Sequence, residues 1–185
     1  MLVRAVDFSK LLLQELQNSI EQRGIQTIEI VEQDMRIITP DQNNKYDFIC
    51  CMGDTITHLP TLADVQTLLK DSVFALAPGG RLLLSFRDYT HAREGVDRFI
   101  PVRSDDRRVF TCFLEYFPTH VTVHDIIHVR DAVDCPWKLA VSAYSKVRLP
   151  PAVVLETLVH LGLDIVLEQC QAGMVTIPAR KAIAP

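Results

Sequence analysis

The sequence predicts an α/β fold with an antiparallel β insertion, on three observations. Over roughly the first 88 residues, short apolar runs rich in β-branched side chains alternate with segments whose apolar residues recur at helical spacing, the signature of a parallel sheet with crossover helices. Beyond Asp88 the helical period gives way to long β-rich runs broken by Pro and Asp. A chain of 185 residues that is 48% hydrophobic has enough apolar surface for one sizeable core, so residues 1–185 are read as a single domain.

Each element has its own warrant. Residues 2–6 are short and mostly apolar, and Leu11, Leu12, Leu13, Leu16 and Ile20 then mark one helix face until Gly24 ends it. Residues 27–31 are a β-branched run suited to a second strand, and residues 39–44 are turn-rich. Residues 46–52 form a largely apolar third strand, as a strand covered on both faces requires. Val65, Leu68, Leu69, Val73 and Leu76 stripe a second helix over 64–76, which Pro78-Gly79-Gly80 closes before a strand at 81–86. Residues 108–117, 120–129 and 137–147 read as antiparallel strands. Pro150-Pro151 opens a third helix that runs to Leu161, and 165–169 with 174–178 form a closing antiparallel pair. The domain thus divides into an α/β part at 1–88, an insertion or lid at 105–148, and a closing part at 149–185.

Composition excludes several function classes. A net charge of −4 gives no footprint for nucleic acid, and Arg103, Arg107 and Arg108 are interleaved with Asp105 and Asp106 as in a solvated loop. No apolar run is long enough to span a bilayer, and the start lacks the layout of a signal peptide. The five cysteines match neither a zinc spacing nor a disulfide framework, so reduced thiols in a cytoplasmic protein are expected. His120, His124 and His128 share a face at even spacing but lack an acidic or cysteine ligand set. No metal site is expected, and the three are read as a lid surface facing a substrate.

In such a sheet ligands bind beyond the carboxyl ends of the strands. Asp7 stands at the first such end, where a carboxylate accepts hydrogen bonds from a diol or caps the helix after it; Phe8 beside it offers a face for an aromatic ring. Asp34-Met35 occupies the equivalent place after the second strand, and Cys50-Cys51-Met52-Gly53-Asp54 ends the third, with a glycine that permits close backbone approach. His58 comes next as a side chain able to hold or deprotonate an amine, or simply to pack at a helix start. Arg87 and Tyr89 lie past the fourth strand end, the first able to clamp a carboxylate and the second to close over a cation; a surface arginine and a half-buried tyrosine are the plain alternative.

Val6-Asp7-Phe8-Ser9, Asp34-Met35, Tyr46-Asp47-Phe48-Ile49-Cys50-Cys51-Met52-Gly53-Asp54 and Leu76-Ala77-Pro78-Gly79-Gly80-Arg81-Leu82-Leu83-Leu84 resemble, in order and spacing, the class I S-adenosylmethionine-dependent methyltransferases. The run from Tyr46 to Pro60, with Phe86-Arg87-Asp88-Tyr89, is most similar to their glycine N-methyltransferase branch. The resemblance implies a Rossmann-like sheet and S-adenosylmethionine as cofactor. It implies that Asp7 binds the ribose, that Phe8, Asp34 and Met35 hold the adenine, and that Cys51, Met52 and Gly53 face the methionine portion. His58 and Tyr89 are the expected catalytic residues, Arg87 and Asp88 the expected substrate-binding ones. The chain departs from the family at Asp54 and Asp88, where relatives have Asn, and it lacks the first strand, Gly-rich loop and helix that precede the position of Asp7 in the family. That strand lies between those containing Val3 and Phe48, so a longer protein, a rearrangement or a homodimer is needed to complete the sheet.

The expected function is methyl transfer to a small-molecule acceptor, an amine or an amino acid, with the insertion as a lid that excludes water. The alternative is a non-catalytic binding or scaffold protein on the same fold. A nicotinamide-dependent oxidoreductase ranks last, for it needs a Gly-rich loop and has no motif here.

Overall fold

The computed structural model describes residues 2–38 and 46–183; the predicted turn at 39–44 lies outside them. β1 (Val3–Asp7) leads into α1 (Lys10–Arg23) and β2 (Ile28–Glu32). Ser9 caps α1 by accepting from the Leu12 N–H, and Gly24 ends it at φ 63, where its own N–H reaches the carbonyls of Glu21 and Ile20. β1 and β2 pair in parallel from Val3↔Ile28 to Asp7↔Glu32, so Asp7 and the start of the next loop finish at the same level.

β3 (Tyr46–Cys51) turns through a 3-10 segment (Thr55–His58) into α2 (Leu62–Ala75), which passes directly into β4 (Leu76–Arg87). The sequence placed a break at residues 78–80, but the strand starts at Leu76, and the ladder to β3 shifts register between Tyr46 and Phe48. Gly80 explains how the chain stays extended there. A Cβ at that position would stand 2.8 Å from the Ala77 carbonyl oxygen and 3.1 Å from that of Tyr46, a close approach only glycine permits.

The insertion is a four-stranded antiparallel sheet of β5 (Phe99–Ser104), β6 (Arg108–Tyr116), β7 (His120–Val129) and β8 (Lys138–Val147). It begins before the expected residue 105, because β5 is a strand despite Pro101. As the edge strand it tolerates a residue with no N–H to give. Arg103 and Arg108 therefore flank a tight hairpin whose Asp105 accepts from the Arg107 and Arg108 N–H groups. α3 (Pro151–His160) comes next, then β9 (Leu163–Ile165), β10 (Gln169–Gln171) and β11 (Met174–Lys181). The expected strand at 165–169 is instead two short strands, both paired with β11.

β11 runs antiparallel to β4, and β4 parallel to β3. Phe86, Leu84, Ile177, Leu69, Val154 and Leu158 are buried between this sheet and helices α2 and α3, each contributing on the order of 2 kcal/mol by leaving water. A second core joins Tyr89 to Leu114, Val121 and Val123 and fixes the insertion to the α/β body. Among the described residues β1 pairs only with β2, and β3 only with β4. The parallel sheet therefore comes in two pieces, linked by a long contact of 3.5 Å from the Arg4 guanidinium to the Tyr46 hydroxyl.

Candidate functional site

The turn after β3 is the organising feature. Gly53 and Asp54 both take positive φ, 72° each, and the aspartate has a real conformational penalty there. Four donors hold it in place. Asp54 Oδ1 accepts from the Arg87 backbone N–H at 2.8 Å and the Thr57 hydroxyl at 2.8 Å; Oδ2 accepts from the Tyr89 hydroxyl at 2.9 Å and from the Lys146 ammonium. Gly53 N–H donates to Ser85 Oγ at 2.8 Å, and Asp54 N–H to the Ser85 carbonyl. The ends of β3 and β4 and the last residues of β8 are thereby tied at one buried carboxylate.

His58 closes the same turn, exposed, with its ring 5.3 Å from the Tyr144 ring on β8. Burial, and then the neighbouring Lys146 ammonium, depress its pKa, while Asp54 acts in the opposite sense. The imidazole therefore stays neutral to lower pH than an ordinary histidine. Tyr89 is 6% exposed with its hydroxyl committed to Asp54; burial and that carboxylate push its pKa far up. It does not close over an open cleft, as the sequence suggested, but braces the turn from beneath.

The expected cofactor residues stand at the carboxyl ends of three parallel strands. Asp7 Oδ1 accepts from the Ser9 N–H at 2.7 Å, so Asp7 braces the helix start while Ser9 itself is the cap. Among the described residues nothing donates to its other oxygen. Phe8 is 74% exposed, and Met35 packs on the same core as Cys51. Asp34 is engaged: Arg36 donates to both its oxygens, through Nε at 3.1 and 3.0 Å and Nη2 at 2.6 Å, and holds the carboxyl below its usual pKa range. Met52 is partly exposed, and a Cβ on Gly53 would meet nothing within 4 Å, so the backbone at this turn is approachable. Burial pushes the Cys51 thiol up to about 11. The Arg87 side chain is exposed, whereas Asp88 accepts from the Thr90 N–H at 2.8 Å and shapes its own turn.

Lys146, Tyr144 and Asp125 were not singled out from the sequence, although a lysine inside the strand, separated from the terminal Lys138 by seven uncharged residues, was a usable signal. The three histidines of β7 do share a face, as their spacing requires, but the register puts it on the opposite side of the sheet from Tyr144 and Lys146. They do not face the turn of His58. His124 instead meets Glu115 at 3.1 Å and His120 stacks on Phe117, and no group of metal-ligating side chains occurs among the described residues. No helix among them is long and apolar enough to cross a membrane.

Residues 2–80 match the family model described as a methyltransferase domain. No curated protein matches the chain. Solved structures similar to it include an S-adenosylmethionine-dependent methyltransferase from Clostridium acetobutylicum, at 18% identity and a TM-score of 0.79 over 98% of this chain and 76% of that one. The CcbJ methyltransferase of Streptomyces caelestis is 15% identical with a TM-score of 0.81, covering 98% and 80%. An amino pentose methyltransferase of calicheamicin biosynthesis from Micromonospora echinaspora, solved with S-adenosylmethionine bound, is 15% identical with a TM-score of 0.74, covering 98% and 74%. The chain has the Rossmann-like fold of these S-adenosylmethionine-dependent methyltransferases, with an antiparallel insertion.

Proposed function

We propose that the protein is a methyltransferase that uses S-adenosylmethionine to methylate a nitrogen of a small amine or amino acid, in the manner of the glycine N-methyltransferase branch. The observation that carries this reading is His58, exposed at the strand ends on the Asp54 turn, with its ring beside that of Tyr144 and its pKa lowered. S-adenosylmethionine, when bound, supplies a methyl carbon on a positively charged sulfur that departs with the C–S electron pair. The residues present fit it. Asp7 has one carboxylate oxygen uncommitted that would take the ribose hydroxyls, Phe8 and Met35 would offer apolar surface to the adenine, and the turn of Cys51, Met52 and Gly53, open at Gly53, would hold the methionine portion. Asp34 serves the adenine amino group only by sharing its carboxylate with Arg36.

His58 accepts one proton from the acceptor's ammonium nitrogen, which frees the nitrogen lone pair for the new bond. No covalent enzyme intermediate is needed, so alignment supplies much of the rate. Tyr89 and Lys146 act by fixing Asp54 and hence His58, Arg87 and Asp88 border the acceptor, and the antiparallel sheet covers it. One domain, 1–185, carries all of these parts.

A second reading, a binding scaffold without turnover, is favoured by the occupied Asp34 carboxylate and the two-piece sheet. Calorimetric titration with S-adenosylmethionine and S-adenosylhomocysteine tests the cofactor, and mass spectrometry after incubation with glycine and an amino sugar glycoside tests transfer. Binding with methylated product supports the enzyme, binding without product across a wider amine panel supports the scaffold, and no binding of either nucleoside overturns the enzyme and leaves the scaffold standing.

A further inference from the structure

The face of the antiparallel sheet that meets His58 is ordered in rows. Moving outward from the α/β body, Lys146 pairs with Val121, Tyr144 with Val123, and Ser142 with Asp125, and Asp125 pairs in turn with Cys112 on β6. The first row is sealed, because Lys146 is bound to Asp54. The second carries the Tyr144 ring that touches His58. The third places a carboxylate in the middle of a sheet, which is costly unless something compensates it.

Nothing cationic does so. Among the described residues no lysine, arginine or histidine stands within ion-pair distance of Asp125, while Asp54, two rows away, has its lysine. The Cys112 thiol donates to Asp125 Oδ1 at 3.2 Å. Burial and this carboxylate together push the thiol up to about 11 and the Tyr144 hydroxyl up to about 12, so both neighbours stay neutral. Asp125 is half-buried and shares the sheet face of Tyr144, whose ring meets His58. A carboxylate steadied by one neutral donor, Cys112, and lacking a partner cation is suited to take a cation from outside.

We infer that Asp125 is the anchor for a protonated amine of the acceptor, with Cys112 orienting its carboxylate and Tyr144 standing on the same sheet face between it and His58. The anchor depends on the methyl-transfer reading only for the chemistry after the amine is bound, not for binding itself. It narrows the acceptor class to molecules that carry an ammonium, and it disfavours their neutral hydroxyl counterparts. A charge-assisted hydrogen bond in a half-buried setting corresponds to at least about tenfold discrimination.

The test is an NMR titration of the full isotope-labelled chain with cyclohexylammonium and with its neutral isostere cyclohexanol. The ammonium is expected to shift the signals of Cys112, Asp125, Tyr144 and His58 saturably, with the alcohol at least about tenfold weaker. Asp125→Asn and Asp125→Ser, each checked for a native amide spectrum, are expected to remove the preference. Equal affinity for the two probes, an ammonium that shifts other residues or none, or a preference that persists in a folded Asp125 variant overturns the anchor. Heat unfolding with S-adenosylhomocysteine is read separately. An ammonium that binds this cluster in a protein that ignores the nucleoside keeps the anchor and defeats methyl transfer; the converse keeps methyl transfer and defeats the anchor.

Discussion

At the scale of single residues, Asp54 and Lys146 are unequal partners. Asp54→Ala leaves the Lys146 ammonium buried without its counter-charge, so denaturant unfolding should show a loss of about 3 kcal/mol or more. Lys146→Met leaves the carboxylate with three other donors and should cost clearly less, measured in the same way. An equal loss in both variants would mean that the pair is not the organising contact. His58 gives a pH prediction. Its folded pKa lies below the unfolded value of about 6.5, so the unfolded chain binds more protons in that window, and stability falls as pH drops from about 6.5 through the folded value. An NMR titration should place the His58 midpoint below 6.5, and Lys146→Met should raise it, since the repelling ammonium is gone while Asp54 remains. The positions of Asp7, Gly53 and His58 at strand ends and in the turn were legible because a strand end, a glycine and a polar turn leave a mark on a linear sequence. Asp54's four donors were not, because they come from residues 57, 87, 89 and 146, and only folding brings those together.

At the scale of elements, periodicity and caps carried most of the information. α1 starts at Ser9 and stops at Gly24, and α2 starts with Thr61 accepting from the Asp64 N–H, because each boundary is enforced by local hydrogen bonds. β5 escaped notice because Pro101 and the charged residues after it look like loop, and only its position at a sheet edge makes them harmless. The early start of β4 escaped notice for a related reason: Pro78-Gly79-Gly80 reads as a break, and it is the partner strand that demands an extended chain there. This makes Gly80 a sharp test. Gly80→Ala forces a Cβ against two backbone oxygens that cannot step aside, so a loss of about 2 kcal/mol is expected in denaturant unfolding. Gly53→Ala has open space around it and should cost only the strain of its positive φ, about 1 kcal/mol. If the two variants were equally stable, the packing at the β3–β4 irregularity would be looser than described.

At the scale of the whole molecule, the two-piece parallel sheet separates a well-packed region from a lightly held one. The unit of β1, α1 and β2 buries only Leu13 and Ile20 of α1 and leaves Phe8, Leu11 and Leu12 exposed at 74%, 70% and 53%. The unit of α2, β4, α3 and β11, by contrast, contains side chains with no exposure at all. Local opening free energy tracks buried apolar contact and paired backbone, so the two regions should exchange amide hydrogens by different routes. Amides of β4 and β11 should exchange only on global unfolding, while those of β1 and β2 should exchange at a lower free energy through local opening. The proposed cofactor site spans both regions, since Asp7 and Phe8 lie on one and Cys51 to Gly53 on the other. S-adenosylhomocysteine should therefore raise the local opening free energy of β1 and β2 by as much as the global unfolding free energy read at β4, because either opening dismantles a site held from both sides. Native-state hydrogen exchange with and without the nucleoside decides this. Uniform protection without ligand would show that the two pieces unfold as one, and a ligand effect confined to β4 would move the site off the strand ends of β1 and β2.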